Sequence, residues 1–143
     1  MFIGRYYHTI EEKNRLSLPK KFRDQNEAWV ITRGLDGGLF LFQAKDFEQR
    51  LAELASRTFT KKRDRDFVRY LTNDASEVSC DQNGRVLVPE YLKEFGQLKK
   101  DVVVVGSYTY LEVWDVELYH QYLAKLEESG EQIAEGIDAT STP

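Results

Sequence analysis

An α+β, β-rich fold made of two pseudo-symmetric copies of one small module is what this 143-residue sequence predicts. The first observation is a repeat. Glu11-Glu12-Lys13-Asn14-Arg15-Leu16-Ser17-Leu18-Pro19 lies over Asp81-Gln82-Asn83-Gly84-Arg85-Val86-Leu87-Val88-Pro89 at an offset of 70. An acid, three residues and an arginine are followed in both by apolar–x–apolar–proline. Downstream the match continues at an offset of 72: Gly34 over Gly106, Leu39-Phe40-Leu41-Phe42 over Leu111-Glu112-Val113-Trp114, and Phe47, Leu51, Leu54 over Tyr119, Leu123, Leu126. The second observation is that the apolar runs are short, rich in aromatic and β-branched residues, and bounded by Asp, Asn and Gly. The third is size: a module of roughly 45 residues rarely completes a core alone, so two copies imply mutual packing.

Each copy reads as strand–turn–strand, short helix, strand–turn–strand, helix. In the first, residues 6–10 are rich in β-formers and residues 11–14 form a polar turn. Residues 15–18 return as a strand, and Leu18 is held extended because a proline follows. Pro19 suits the first position of a one-turn helix reaching Arg23, where its missing N–H costs nothing. Residues 28–33 and 39–42 flank Asp36-Gly37-Gly38, a hairpin turn, and Phe47, Leu51 and Leu54 share one face of a helix beginning near Asp46. The second copy repeats this: strand 77–80, turn at Asn83-Gly84, strand 85–88, helix from Pro89, strands 102–106 and 110–114, and a helix from Val116 to about Glu128. Residues 58–72 between the copies read as a helix with basic residues four apart. The chain thus divides into a first module with its helix (1–56), a basic helical connector (57–74), a second module with its helix (75–128) and a flexible acidic tail (129–143).

Net charge is −4, yet it is unevenly spread. Residues 1–80 carry 15 Lys/Arg against 12 Asp/Glu, and residues 81–143 carry 5 against 12. Six basic residues fall within 1–23 (Arg5, Lys13, Arg15, Lys20, Lys21, Arg23), and six more within 57–69. A phosphate backbone responds to such local density rather than to the total, although a charge run of this kind also serves as a solvated helix face. The single Cys80 excludes an internal disulfide framework and a Cys-based zinc module, and fits a reducing compartment. No signal-peptide core or membrane-spanning run is present. Phosphate-loop, nucleophile-elbow and His-Glu-x-x-His patterns are missing, and His8 and His120 have no partners arranged for acid–base work. The expected protein is therefore not an enzyme and needs neither metal nor cofactor.

Strand alternation places the arginines. Leu16 and Leu18 share the core face, so Arg15 and Ser17 face outward; Val86 and Val88 likewise leave Arg85 and Leu87 outside. The apolar Leu87 suggests that this outer face meets another module or subunit. The acid–x–x–x–Arg pairs Glu11/Arg15 and Asp81/Arg85 have two compatible readings. They can brace the hairpin as ion pairs, or a carboxylate can aim a guanidinium at phosphate or guanine.

These paired motifs, with Met1-Phe2-Ile3-Gly4 and with Ala75-Ser76-Glu77 before the second, resemble the MraZ family of bacterial transcriptional regulators, built from two SpoVT-AbrB modules. The likeness runs from Met1 to about Leu126. It implies interleaved, AbrB-like swapped β-hairpins with short helices in a double-psi-barrel-like arrangement. It also implies a ring-shaped homo-oligomer, an octamer by resemblance, binding short G-rich direct repeats in double-stranded DNA. Such repeats lie upstream of a division and cell-wall gene cluster that includes the regulator's own gene, which would make the protein cytoplasmic and nucleoid-associated. By the same resemblance Lys13, Arg15 and Arg85 fall on positions linked to DNA, with Arg5, Asn14, Lys20 and Lys21 beside them; Glu11, Asp81, Gly84, Pro19 and Pro89 shape the motifs. The first motif departs from the family pattern, with Glu11 where Asp is usual and Asn14 where Gly is usual. An alternative reading makes the chain an oligomeric protein-interaction or antitoxin-like module.

Overall fold

A computed structural model of the chain describes residues 1–23, 28–57 and 59–141. Among the described residues, eight strands and four helices follow the expected order: β1 (Arg5–Thr9), β2 (Arg15–Ser17), β3 (Ala28–Arg33), β4 (Leu39–Gln43), α1 (Ala44–Arg57), α2 (Lys62–Thr72), β5 (Ser76–Ser79), β6 (Arg85–Leu87), α3 (Glu90–Phe95), β7 (Asp101–Gly106), β8 (Leu111–Asp115) and α4 (Val116–Ser141). Single 3₁₀ turns at Glu12–Asn14 and Lys20–Phe22 complete the first half. Thr58, within the expected connector helix, lies outside the described residues, as do residues 142–143 of the tail.

The two halves interleave. Six strands form one antiparallel sheet in the order β1-β7-β8-β4-β3-β5, and β2 and β6 form a separate two-stranded ribbon. Thus β1 of the first half pairs with β7 of the second, and β5 of the second pairs with β3 of the first. A pseudo-twofold axis passes through both layers. At the sheet centre Phe40 faces Glu112, its own counterpart at offset 72; in the ribbon Leu16 faces Val86, its counterpart at offset 70. The axis also relates loop hydrogen bonds: Glu11 N–H donates to the Arg15 carbonyl as Asp81 N–H does to Arg85, both at 2.8 Å. Leu18 N–H likewise donates to Gly84 (3.1 Å) as Val88 N–H does to Asn14 (2.9 Å).

The sheet edges β1 and β5 lie against β2 and β6, so sheet and ribbon enclose one apolar core. Leu16, Leu18, Val86 and Val88 enter it from the ribbon, and Trp29, Ile31, Leu39, Leu41, Val102, Val104, Leu111 and Val113 from the sheet. These alternations are those read from the sequence, since only every second residue of a strand can reach a given face. Cys80 packs partly buried against this core, and burial pushes its thiol up. The sheet's other face is covered in two patches. Helices α1 and α2 cover Phe40 and Phe42, while α4 covers Val103, Val105 and Trp114 through Leu118, Tyr119 and Tyr122. The counterpart glycines 34 and 106 both sit at backbone crossings: a Cβ at Gly106 would collide with the Phe2 and Ile3 backbone, and one at Gly34 with Gly38.

Two helical expectations need correction. The connector helix is shorter than expected, because α1 runs on to Arg57 and α2 begins only at Lys62. The last helix does not end near Glu128: α4 continues to Ser141. The acidic, Gly-containing composition suggested fraying there. Glu131, Gln132, Ala134 and Glu135 are nevertheless good helix formers, and no proline intervenes before the terminus.

Candidate nucleic-acid interface

The outer face of the β2–β6 ribbon, with its two flanking turns, gathers most of the residues singled out from sequence. Arg15 stands opposite Leu87 and Ser17 opposite Arg85, so each strand contributes one arginine and the pseudo-twofold relates them. The carboxylates do not stay within their own motifs. Asp81 accepts from Arg15 Nη1 across the ribbon at 2.9 Å and from Arg85 Nε within its own turn at 3.1 Å. Arg85 also donates through Nη1 to Glu11 at 2.9 Å. The result is an alternating chain, Glu11–Arg85–Asp81–Arg15, in which the expected Asp81–Arg85 pair is present and Glu11 serves the opposite module's arginine.

The two acids are not equivalent. The Asp81 Oδ1 accepts the backbone N–H of Asn83 (2.8 Å) and of Arg85 (3.0 Å), the short side chain closing its own turn. These bonds, led by the Arg85 N–H and joined by the Arg85 charge, hold the Asp81 carboxyl down to about 2. The Glu11 and Asp81 carboxylates in turn push the Arg85 guanidinium up. Because the Asp81 shift is downward, its stabilisation is complete above the ordinary carboxylate value of 3.8 and is lost as pH falls towards about 2. Wild type and Asp81→Asn should therefore differ in unfolding midpoint at neutral pH and converge across that window. Parallel acid-unfolding curves for the two proteins would contradict this.

The first turn carries a backbone cost that its counterpart avoids. Lys13 (φ 62°) and Asn14 (φ 59°) are both left-handed, whereas in the second turn Gly84 (φ 74°) takes that conformation at its counterpart of Asn14. Asn tolerates the left-handed region, and Asn14 is secured there by Glu90, whose Oε2 accepts from Nδ2 at 2.5 Å, and by Lys93, which donates to Oδ1 at 3.2 Å. The Asn14 side chain is thereby turned towards α3. Lys13, exposed, has no such anchor among the described hydrogen bonds and pays a cost of roughly 1–2 kcal/mol for a left-handed lysine. Strained residues of this kind concentrate at functional sites.

Around this ribbon lie Lys20 and Lys21 on the turn following Pro19. Lys20 is exposed, and the Lys21 ammonium sits 5.0 Å from the Tyr6 ring centroid. Pro19 and Pro89 open the two short helical turns, with their carbonyls accepting from Phe22 N–H (2.9 Å) and Leu92 N–H (3.1 Å). Arg23 bends inward: its Nε donates to the Leu18 carbonyl at 2.9 Å and its guanidinium covers Gly84, where any Cβ would strike it. The structure does not bring Arg5 to this surface. On β1 Tyr6 packs towards the ribbon-side core, as does Ile10 just beyond the strand, so alternation sends Arg5 to the opposite face of the sheet. There it lines a groove with Asp36, Glu112 and Tyr119.

Arg15 keeps guanidinium donors beyond the one given to Asp81, and its side chain is 41% exposed against 25% for Arg85, which is held by two carboxylates. Sequence reading found the arginines and the turns; it missed the cross-module pairing and the anchoring of Asn14. The repeat itself was the signal, since two modules too small for separate cores had to interleave. Among the described residues no group of His, Cys, Asp and Glu could hold a metal ion, and no helix is long and apolar enough to cross a membrane.

Comparison with known proteins agrees with this doubled architecture. A family model described as "MraZ protein, putative antitoxin-like" matches the chain twice, over residues 1–70 and 71–138. The "Transcriptional regulator MraZ" of Acetivibrio thermocellus is 40% identical over 136 residues, covering 94% of this chain and 95% of that protein. Proteins of the same name from Thermoanaerobacter sp. (37% over 139 residues; 96% and 97%) and Heliobacterium modesticaldum (38% over 138 residues; 96% and 96%) are similarly close. These relatives are named as regulators, not as enzymes. With the repeat, the interleaved sheet and likeness over nearly the full length in hand, the chain belongs to the MraZ family.

Proposed function

We propose that the protein is a sequence-specific DNA-binding transcriptional regulator that reads short repeated boxes in double-stranded DNA, its own promoter region included, through the outer face of the β2–β6 ribbon. The observation that carries this reading is the Asp81-oriented, partly exposed Arg15 beside the strained, exposed Lys13. Lys13, Lys20 and Lys21 neutralise phosphates and set register, while Arg15 reaches a guanine edge in the major groove. Arg85 holds the ribbon together and contributes less contact of its own. Since one ribbon offers few contacts, self-association into a ring would let several ribbons meet several boxes and gain by effective concentration. The names carried by the relatives favour this reading over a protein-interaction role.

The test is a titration of the protein onto a duplex from the region upstream of its own gene, at two salt concentrations. Saturable binding with a slope of about −0.9 per neutralised phosphate in log K against log salt is expected. Binding no better than to random DNA would remove the regulator reading. A second variant separates function from folding. Lys13→Gly should keep or slightly raise thermal stability, because glycine is unstrained in the left-handed region, and should weaken DNA binding while flattening the salt slope by about one phosphate. Equal affinity and slope would take Lys13 out of the interface.

A further inference from the structure

The β2–β6 ribbon turns Arg15, Ser17, Arg85 and Leu87 outward, and of these Leu87 alone is apolar. The pseudo-twofold axis relates Ser17 to Leu87 as it relates Arg15 to Arg85, both at the offset of 70. The repeat therefore keeps an arginine at one outward position and changes the chemistry at the other, a hydroxyl in one strand and an isobutyl group in its counterpart. The core does not require that leucine, since Leu16 and Val86 fill it from the opposite face of the ribbon. Nor does the strand, which a β-branched residue would suit better.

The neighbour of Leu87 gives the exposed leucine a use. Leu87 stands opposite Arg15, and opposite residues of an antiparallel pair point the same way with Cβ atoms about 5 Å apart. Arg85, the less exposed arginine, has Ser17 opposite it instead. The apolar side chain thus accompanies the freer arginine, the one that Asp81 holds from the other module. A group touched by Arg15 leaves Leu87 facing whatever lies about one base step away, base pairs being stacked about 3.4 Å apart. The major groove admits a two-stranded ribbon, and its base edges present donors and acceptors with one apolar exception, the C5-methyl group of thymine. Against a polar edge Leu87 would displace water and return no hydrogen bond. Against the methyl group it buries apolar surface on both sides.

We propose that Leu87 is a specificity-determining contact, packing on the C5-methyl of a thymine at the base pair next to the guanine that Arg15 reads. The proposal deepens the DNA-binding reading given above and rests on it. The Arg85 end of the ribbon discriminates less, because the Ser17 hydroxyl can bond to several base edges.

Thymine and deoxyuridine differ only in that methyl group. A duplex from the region upstream of the gene, with each thymine replaced in turn by deoxyuridine, therefore isolates the contact. In each box one thymine beside a guanine should be sensitive, its replacement weakening wild-type binding about three- to five-fold, the worth of one buried methyl group. Leu87→Ala and Leu87→Ser should bind the unmodified duplex more weakly by at least that factor and be indifferent to the same replacement. Placing 7-deazaguanine, which lacks the N7 acceptor, at the neighbouring guanine should weaken binding by wild type and both Leu87 variants, and leave Arg15→Ala unaffected. Circular dichroism and light scattering check that the variants fold and assemble. If no thymine is sensitive, or if the sensitivity persists in Leu87→Ala, the Leu87 contact is overturned, while a retained response to 7-deazaguanine keeps the reading by Arg15. A lower assembly mass for Leu87→Ala with unchanged methyl sensitivity would overturn it in favour of a contact between copies. Wild-type binding no better than to random DNA would overturn both the contact and the reading on which it rests.

Discussion

Replacing Arg15 with alanine is expected to lower affinity for the cognate duplex by about 10- to 100-fold for each ribbon engaged, the range for losing one bidentate guanine contact. Affinity for random DNA should fall far less. Arg15 is the favoured reader because Asp81 reaches it from the other module and fixes the guanidinium while leaving it 41% exposed. Arg85→Ala should produce the smaller loss of DNA affinity, since that arginine already satisfies Glu11 and Asp81. Competition titrations with cognate and scrambled duplexes measure both effects. If Arg85→Ala costs as much specific affinity as Arg15→Ala, the two halves of the ribbon share the reading equally and the asymmetry argued above is lost.

The largest effect on stability is expected at Leu16. It is fully buried where the ribbon crosses the pseudo-twofold axis, facing Val86 and closing the core from above. Leu16→Ala removes that packing and leaves a cavity, a loss of roughly 2–5 kcal/mol. Leu87→Ala, one strand away on the same ribbon, should change stability by less than about 0.5 kcal/mol, because Leu87 is 52% exposed. Chemical denaturation of the two variants measures the contrast. Comparable losses would mean that the outer face of the ribbon is also covered in the folded protein.

What the sequence made legible was local. Alternation at Leu16/Leu18 and Val86/Val88 identified the buried face of each ribbon strand, and Pro19, Pro89 and Asp36-Gly37-Gly38 marked the turns. Partners distant in sequence stayed hidden. Nothing in residues 5–9 announces that they pair with residues 101–106, and without that pairing the Arg15–Asp81 contact cannot be foreseen. Arg5 shows the limit well: its alternation with Tyr6 is plain, but which face meets the ribbon depends on how the layers stack. The reach of α4 was missed for another reason. From Glu131 to Asp138 α4 carries no buried side chain, so the periodicity that betrays a packed helix is thin there, and Gly130 and Gly136 read as an ending.

The exchange of edge strands also dictates when the chain can fold as a ribosome delivers it. β1 is among the first segments to emerge, yet its sheet partner β7 begins only at residue 101 of 143. Only β3, β4 and the helices that follow them can pair early, and β5 can then add to β3. Until β6 is made β2 has no ribbon partner, and until β7 follows β1 has no sheet partner. Non-local pairings of this kind are slow to close. A nascent or truncated protein ending before residue 85 therefore lacks one strand of the ribbon, and one ending before residue 101 leaves β1 without its sheet partner, so the ability to engage DNA, on the reading given above, is withheld until both β6 and β7 have been made.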